Sequence, residues 1–500
     1  MIGTNREIEL KFEIDPKQVQ SLIAHLSPGG PPSLRRLESI YFDTPDQALR
    51  KGGFTLRVRK EGRQWIQTVK TFAASNGAAR GEWEAPVNGE APDPDVLRGT
   101  PGASVLGGLI LEPIFTVVVE RRSVTAIEAG STIEVSLDKG TATHAGHSSA
   151  FSELELELKS GDPATLFAFA DGLRKDFALR PGFTTKADRG FALMDRKGLP
   201  GRRFRAPVLE REMTAGAAFR AIALAAVEQI AGNAEDLREK PHAEVIHQMR
   251  VGARRLQSTL SIFKPIISDR RIGGVKAELK WLLGELDLAR NLDVFLSGAF
   301  ALASRARRDK EGLGALGKRL RVARDAAYAL ARKAVESDRF SALLLTILSW
   351  IEVGPWTEAG GKAAALRVSL INEFAATALD KARRKVSKRA RGFDRLNREG
   401  RHKLRISTKT LRYIADVSDG LFNAHPKRTL RFVVRIKVLL DRLGELNDVA
   451  TGERLVEEGR APKCLTDQQA SREKRLIGSA RRALAAFDKA KRFWPKVASG

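Results

Sequence analysis

Residues 6–14 read Arg-Glu-Ile-Glu-Leu-Lys-Phe-Glu-Ile, a strict alternation of charged and apolar side chains. A period of two marks a strand with two unlike faces, because successive side chains of an extended chain point to opposite sides. Glu7, Glu9, Lys11 and Glu13 share one face, and Ile8, Leu10, Phe12 and Ile14 the other. The apolar row demands a protein partner. The charged row lines something wet, and carboxylates beside a lysine suit a divalent cation together with an anion.

The same texture continues to about residue 160. Strands are predicted near 35–43, 53–60, 64–72, 79–87, 113–124, 130–138 and 150–159, with helices at 16–26, 93–108 and 163–176. Parity groups Arg57 with Arg59, Thr68 with Lys70, and Arg80 with Glu82 and Glu84. It also groups Glu134 with Ser136 and Asp138, and Glu153 with Glu155 and Glu157. Most strands therefore carry a charged row of both signs opposite an apolar row. Eight antiparallel strands suit a closed barrel, which has no exposed edge. The charged rows can face outward around an apolar core, or inward as a wet tunnel with helices over the apolar rows. Alternation alone leaves both arrangements open.

A Gly/Pro/Arg-rich stretch after residue 197 reads as a linker. The expected division is 1–197, a linker at 198–208, and an all-α region at 209–495, with Ala, Leu and Arg at helical spacing. Predicted helices there include 293–309, 363–391, 426–444 and 446–458. Charge follows the same division: 25 Lys+Arg and 26 Asp+Glu in residues 1–200, against 61 and 34 in residues 201–500. A strongly basic second half points to a polyanionic partner. The one cysteine, Cys464, excludes an intramolecular disulfide and a cysteine-based zinc cluster. The start, Met-Ile-Gly-Thr-Asn-Arg-Glu, carries no secretory apolar core, and no run approaches 18 uncharged apolar residues. The expectation is a cytoplasmic chain with no membrane partner.

The helical region repeats itself. His247-Gln-Met-Arg250-Val-Gly-Ala-Arg254-Arg255 aligns with His402-Lys-Leu-Arg405-Ile-Ser-Thr-Lys409, followed by Arg412. Each copy is followed by a Leu-rich segment, one containing Arg290-Asn291 and the other Asn447-Asp448. Two similar bundles related by a pseudo-two-fold are expected. Histidine and cations at i, i+3 and i+7 form one stripe, costly unless it meets solvent or an anion. A solvated basic face explains one copy; two copies point to a shared phosphate-binding groove. Aromatic residues for base stacking are missing from these stripes, so nucleic acid is not the expected partner.

The first 195 residues resemble the CYTH, or triphosphate tunnel metalloenzyme, superfamily. The resemblance rests on Glu7-x-Glu9-x-Lys11, Tyr41-Phe-Asp43-Thr, Arg57-Val-Arg59, Lys70, and Arg80-Gly-Glu82-Trp-Glu84. It continues through Arg121/Arg122, Asp138, Glu153-x-Glu155-x-Glu157, Lys186 and Arg189-Gly190. Residues 209–490 resemble a CHAD domain through the two His-x-x-Arg segments. The resemblance implies an eight-stranded tunnel with charged rows inward and hydrolysis of inorganic triphosphate with Mg2+ or Mn2+. Candidate metal groups are Glu7, Glu9, Asp138, Glu153 and Glu155, and the candidate catalytic residues are Glu7, Glu9, Lys11, Glu82 and Glu84. Lys11, Arg57, Arg59, Lys70, Arg80, Arg121 and Lys186 are the candidate phosphate clamp. His247, Arg250, Arg254, Arg255, His402, Arg405, Lys409 and Arg412 are candidate polyphosphate contacts, which would allow association with polyphosphate granules. Alternatives are thiamine triphosphatase or adenylate cyclase activity, or a non-catalytic polyphosphate or RNA binder. Parity does not choose between Arg121 and Arg122.

Overall fold

The computed structural model describes residues 8–26, 31–71, 81–106, 110–195, 201–305, 310–422, 424–457 and 463–496. The strands are β1 (Ile8–Glu13), β2 (Ser33–Asp43), β3 (Phe54–Glu61), β4 (Gln64–Thr71), β5 (Glu82–Val87), β6 (Glu112–Glu128), β7 (Ser131–His144), β8 (His147–Ser160) and β9 (Arg180–Pro181). Among them run α1 (Val19–Leu26), α2 (Ala48–Lys51), α3 (Pro94–Arg98), α4 (Ala103–Leu106), α5 (Pro163–Asp176) and α6 (Lys186–Asp195). The rest is helical: α7 (Ala215–Glu239), α8 (Ala243–Ile262), α9 (Lys264–Ile267), α10 (Ile272–Phe295), α11 (Ala301–Arg305) and α12 (Lys310–Glu336). Then follow α13 (Asp338–Val353), α14 (Gly361–Val368), α15 (Ile371–Ala390), α16 (Arg398–Val417), α17 (Pro426–Glu457) and α18 (Lys463–Asp488). Two compact units result: Met1–Arg202 with Asp338–Gly354, and Arg203–Ser337 with Pro355–Gly500.

The sheet of the first unit has nine strands in the order β5-β4-β3-β2-β6-β7-β8-β1-β9. It is antiparallel throughout. It is not the closed eight-stranded barrel that was expected. The reason lies at β1, whose free edge is taken by the two-residue β9, pairing Phe12 with Pro181 and Glu13 with Arg180. That edge would have to accept β5 for closure. β9 then ends at a proline, which has no N–H to extend a ladder.

Register aligns the charged rows across strands. Glu9, Glu157 and Glu134 lie side by side on β1, β8 and β7; Glu13, Glu153, Asp138 and Arg121 do so on β1, β8, β7 and β6. At one end the same face turns apolar. There Tyr41, Phe115, Val117, Val119 and Phe151 pack against Ala187 and Phe191 of α6, which plugs that end. The opposite face is a continuous core. Leu10, Phe12, Leu154, Leu156, Val135 and Leu137 are buried, and α5 packs on β7 and β8 with Leu166, Phe167, Ala170 and Leu173. Farther along, Leu56, Val58 and Val69 meet Leu49 of α2 and Leu97 of α3.

The helix α13 completes this unit by packing on α5 and β9. Phe340, Leu343, Leu344, Leu348 and Ile351 are all nearly inaccessible, each burial being worth about 1.5–3 kcal/mol. An Arg174–Asp338 ion pair links α5 to its start. Ala215–Glu239 and Asp338–Thr357 are long and apolar enough to cross a bilayer, yet 78% and 67% of their most apolar windows are buried inside the protein.

Other differences from expectation have local causes. The 93–108 helix is two short helices, α3 and α4. The 363–391 helix breaks at Ser369–Leu370, which bridge to Met213–Ala215 (Ala215 N to Ser369 O, 2.8 Å; Ile371 N to Met213 O, 2.9 Å). The expected pair at 426–458 is one helix, α17, running through Gly444. At 293–309 a π-helical turn, Leu296–Phe300, precedes α11.

Gly190 sits where α6 crosses β6, and a Cβ there would overlap the Phe115 ring. Gly190→Ala is expected to cost about 1–3 kcal/mol by overpacking and to lower the thermal midpoint by several degrees, as read by calorimetry.

Candidate functional site

Strand parity delivers Asp138, Glu153 and Glu155 to one spot, where ligating oxygens lie within 4.8 Å of one another. Asp138 and Glu153 are 2% and 1% exposed. Three buried carboxylates would repel one another severely without compensation. Compensation is one-to-one. Lys186 Nζ, from the first turn of α6, lies 2.8 Å from Asp138 and 2.8 Å from Glu155, and also contacts Glu153. Lys11 Nζ lies 2.9 Å from Glu155 and 3.7 Å from Glu153. Arg121 donates a two-pronged pair to Asp138 (2.7 and 2.7 Å) and also reaches Glu155. Arg122 turns to the other side, to Glu120, so Arg121 is the inward arginine.

The electrostatics follow. Burial opposes the charge on Glu155, but Lys11, Lys186 and Arg121 outweigh it and hold the carboxyl well below its usual range. Burial likewise opposes the Lys186 charge, yet Glu153, Glu155 and Asp138 raise its pKa well above normal. The three carboxylates are hard oxygen donors of the kind Mg2+ and Mn2+ take. Glu153 Oε2 is buried with no hydrogen-bond partner, one acceptor left over for a cation.

A second charged wall lies on β3–β5. Lys70 Nζ is 2.6 Å from Glu82; Arg57 approaches Glu84 (3.7 Å) and Glu82 (4.0 Å); Arg59 lies 4.0 Å from Glu84 and pairs with Glu61. Thr68 donates to Glu84 at 2.9 Å. The Nε atoms of Arg57 and Arg59 are buried without partners. Burial and the neighbouring Arg57 press the Lys70 ammonium below its ordinary pKa; Glu82 and Glu9 pull the other way. Lys70 on β4 and Glu9 on β1 are far apart in strand order, about 30 Å if the sheet were flat. Their interaction means that the sheet curls, bringing the two walls face to face.

Glu7 and Arg80 lie outside the described residues. The other candidates on the first unit share the charged face, with Glu9 one tier from the Asp138 triad. Strand patterning gave no role to Arg189, whose guanidinium lies 5.0 Å over Phe151 with a buried, unpartnered Nε. Arg189-Gly190 was among the segments that carry the CYTH resemblance, and its i+3 spacing from Lys186 was a further signal. Asp43 is structural: its buried carboxylate accepts from the backbone of Thr44, Leu49 and Arg50.

In the helical unit the two stripes meet. Lys409 of α16 is pressed well below its usual pKa by burial and by Arg405, Arg254 and Arg250. Burial, with Arg290, Lys409 and Arg250 nearby, holds His247 down to about 4, although Glu244 pulls upward. Burial and Arg254 push Arg250 down to about 10, while Asp287, its ion-pair partner, opposes. Arg290 and Asp448, which alternation did not single out as contacts, belong to the same cluster. His402 is exposed and hydrogen-bonds Asn447 (3.0 Å). Two candidates leave the groove. Arg255 is stacked on Phe204 (3.7 Å) and Tyr413 (4.6 Å), and Arg412 pairs with Asp416 one turn on (3.5 Å). Arg255 is the eighth residue after His247, a step around the helix from the stripe.

Lys186→Met removes one compensating charge from a buried triad and is expected to destabilise by about 3–5 kcal/mol. Millimolar Mn2+ should recover part of that in thermal melts. A variant as stable as the parent, with or without metal, contradicts the compensation.

Residues 5–191 match the CYTH domain and residues 221–457 the CHAD domain. An inorganic triphosphatase of Haemophilus influenzae is 32% identical over 193 residues, which is 38% of this chain and 55% of that protein. The chain thus spans about half the length of this curated relative. The crystal structure of the CHAD domain from the plant Ricinus communis is similar at 26% identity, covering 58% of this chain and 93% of that one, with a TM-score of 0.45. PptA from Streptomyces chartreusis is similar at 16% identity, covering 56% and 99%, with a TM-score of 0.41. The chain is a CYTH domain followed by a CHAD domain.

Proposed function

We propose that the first unit hydrolyses inorganic triphosphate with a divalent metal, on a tunnel-like face between the two charged walls, and that the helical groove binds polyphosphate. The observation that carries the first part is a compensated acidic triad and unpartnered guanidinium nitrogens on the charged face of one sheet. The identity with a protein named inorganic triphosphatase supports the substrate.

Asp138, Glu153 and Glu155, with Glu9 beside them, would hold Mg2+ or Mn2+. When bound, such an ion screens phosphoryl charge and acidifies bound water. Lys11, Lys186 and Arg121, now engaged with the triad, are the donors that a phosphate chain takes over, and Arg189 stands within reach of the same face. Arg57, Arg59 and Lys70 bind the chain from the opposite wall, where Glu82 and Glu84 keep them oriented. These cations stabilise charge on the terminal phosphoryl group. Water oxygen bonds to the terminal phosphorus as the bridging P–O bond breaks, yielding orthophosphate and pyrophosphate.

Glu153→Gln and Glu9→Ala are each expected to lower Mg2+- or Mn2+-dependent phosphate release from triphosphate by about 10²-fold or more, with long-chain polyphosphate binding kept. A panel of triphosphate, thiamine triphosphate and ATP measures the substrate; faster turnover of an organic triphosphate would replace this reading. For the groove, Arg405→Ala with Lys409→Ala should weaken polyphosphate binding at least about tenfold and flatten its salt dependence. His247, lowered to about 4, lies below the ~6.5 of an unfolded histidine. Protons therefore favour the unfolded chain between those values, and stability falls as pH drops through that window. A bound polyanion favours the imidazolium, so polyphosphate should bind more tightly at pH 5.5 than at pH 7.5, and less so in His247→Gln. Binding that is equal at both pH values would remove His247 from the groove. Polyphosphate binding of this kind would place the protein on polyphosphate granules.

A further inference from the structure

The helical unit contains a second basic cleft, of about 970 Å3, to which none of the groove residues contributes. It lies at the C-terminal end of α16 and the N-terminal end of α17, roughly 20 Å along α16 from His402 at 1.5 Å per residue. Arg211, Arg428, Arg492 and Lys496 line it, with His425, against a single acidic residue, Glu373. The four cations are solvent-exposed, and the positive end of the α17 dipole adds to their field.

Its wall is aromatic. Phe374 borders the cleft beside the edges of Phe422, Phe493 and Trp494, which are only 7%, 3% and 4% exposed. Phe374 is half-buried and backed by Phe263, with ring centroids 4.7 Å apart and planes 20° apart. Trp494 donates its Nε1–H to buried Asp380 at 2.8 Å, and the same carboxylate lies 3.4 Å from Arg492. Arg383 donates to the Ala490 carbonyl at 2.7 Å and anchors the segment that carries both. An aromatic wall and a cation are therefore held in place before any ligand arrives.

An inorganic phosphate chain would use the cations and leave the aromatic wall without a role. A ligand with a flat aromatic ring and phosphates uses both, through stacking and charge-assisted hydrogen bonds. The volume is at the upper end of that of small-molecule pockets. Arg211, Arg492, Trp494 and Lys496 also lie outside the 221–457 match to the CHAD domain, so the cleft is built partly from this chain's own flanks. We propose that this cleft is a nucleotide-binding site, with the base against Phe374 and the phosphates on Arg211, Arg428, Arg492 and Lys496.

The test uses the full chain in EDTA, which suppresses metal-dependent turnover, with saturating long-chain polyphosphate to occupy the groove. Fluorescent TNP-ATP is titrated and displaced with ATP or with inorganic tripolyphosphate, and 8-azido-ATP is photo-crosslinked and mapped. The expected results are displacement by ATP at least tenfold more effective than by tripolyphosphate, and crosslinks in peptides carrying Phe374, Phe422 or Trp494. Arg428→Glu with Lys496→Glu, both at exposed positions, should weaken TNP-ATP at least tenfold. Thr377→Trp, an exposed lining position, should block binding by filling the cleft while the cations remain. No binding, equal displacement by tripolyphosphate, crosslinks elsewhere, or unchanged affinity in both variants overturns the proposal. None of these readouts depends on triphosphate hydrolysis.

Discussion

A buried carboxylate is tolerable only with a partner, and this requirement organises the first unit. Asp138, Glu153 and Glu155 meet because β7 and β8 are in register, and Lys11, Arg121 and Lys186 converge on them from β1, β6 and α6. Five elements are thus tied to one charge-neutral cage. Replacing such a cage with apolar side chains can cost nothing in stability. The cage is therefore a feature that fold stability by itself does not require.

That face is possible because the apolar rows have somewhere else to go. A small sheet normally packs its apolar rows inside. Here α5, backed by α13, covers the rows of β7 and β8, while α2 and α3 cover those of β2–β4. The order α5–α13 is long-range: α13 is separated from the sheet by more than 140 residues of helical chain, yet it belongs to the same compact unit. Its apolar residues are buried on most sides, with Ala342, Thr346 and Ser349 forming the more accessible stripe.

The helical unit handles the converse problem. Its cations have few acids to answer them, and the cost appears as depressed pKa values at Arg250, Lys409 and Arg405 and at His247. A cluster of this sort is a standing attraction for a polyanion. The internal duplication supplies two stripes, but the copies are unequal. His247 is half-buried among arginines, whereas His402 is exposed beside Asn447.

Strand parity was readable residue by residue, since a period of two assigns every side chain of a strand to one of two faces. It correctly grouped Lys11 with Glu9 and Glu153 with Glu155, and the recurrence of His247-x-x-Arg250 as His402-x-x-Arg405 announced the paired stripes. Which face is enclosed was not readable, because both faces have the same period and the choice belongs to helices packed from elsewhere in the chain. Long-range pairing also explains what was missed. The short β9 takes the edge that closure needed, Arg189 is aimed by the docking of α6 on Phe115 and Phe151, and Arg255 is drawn aside by Phe204 and Tyr413. Local spacing encodes direction along one element, whereas the partner that a charge finally meets depends on elements brought together only by folding.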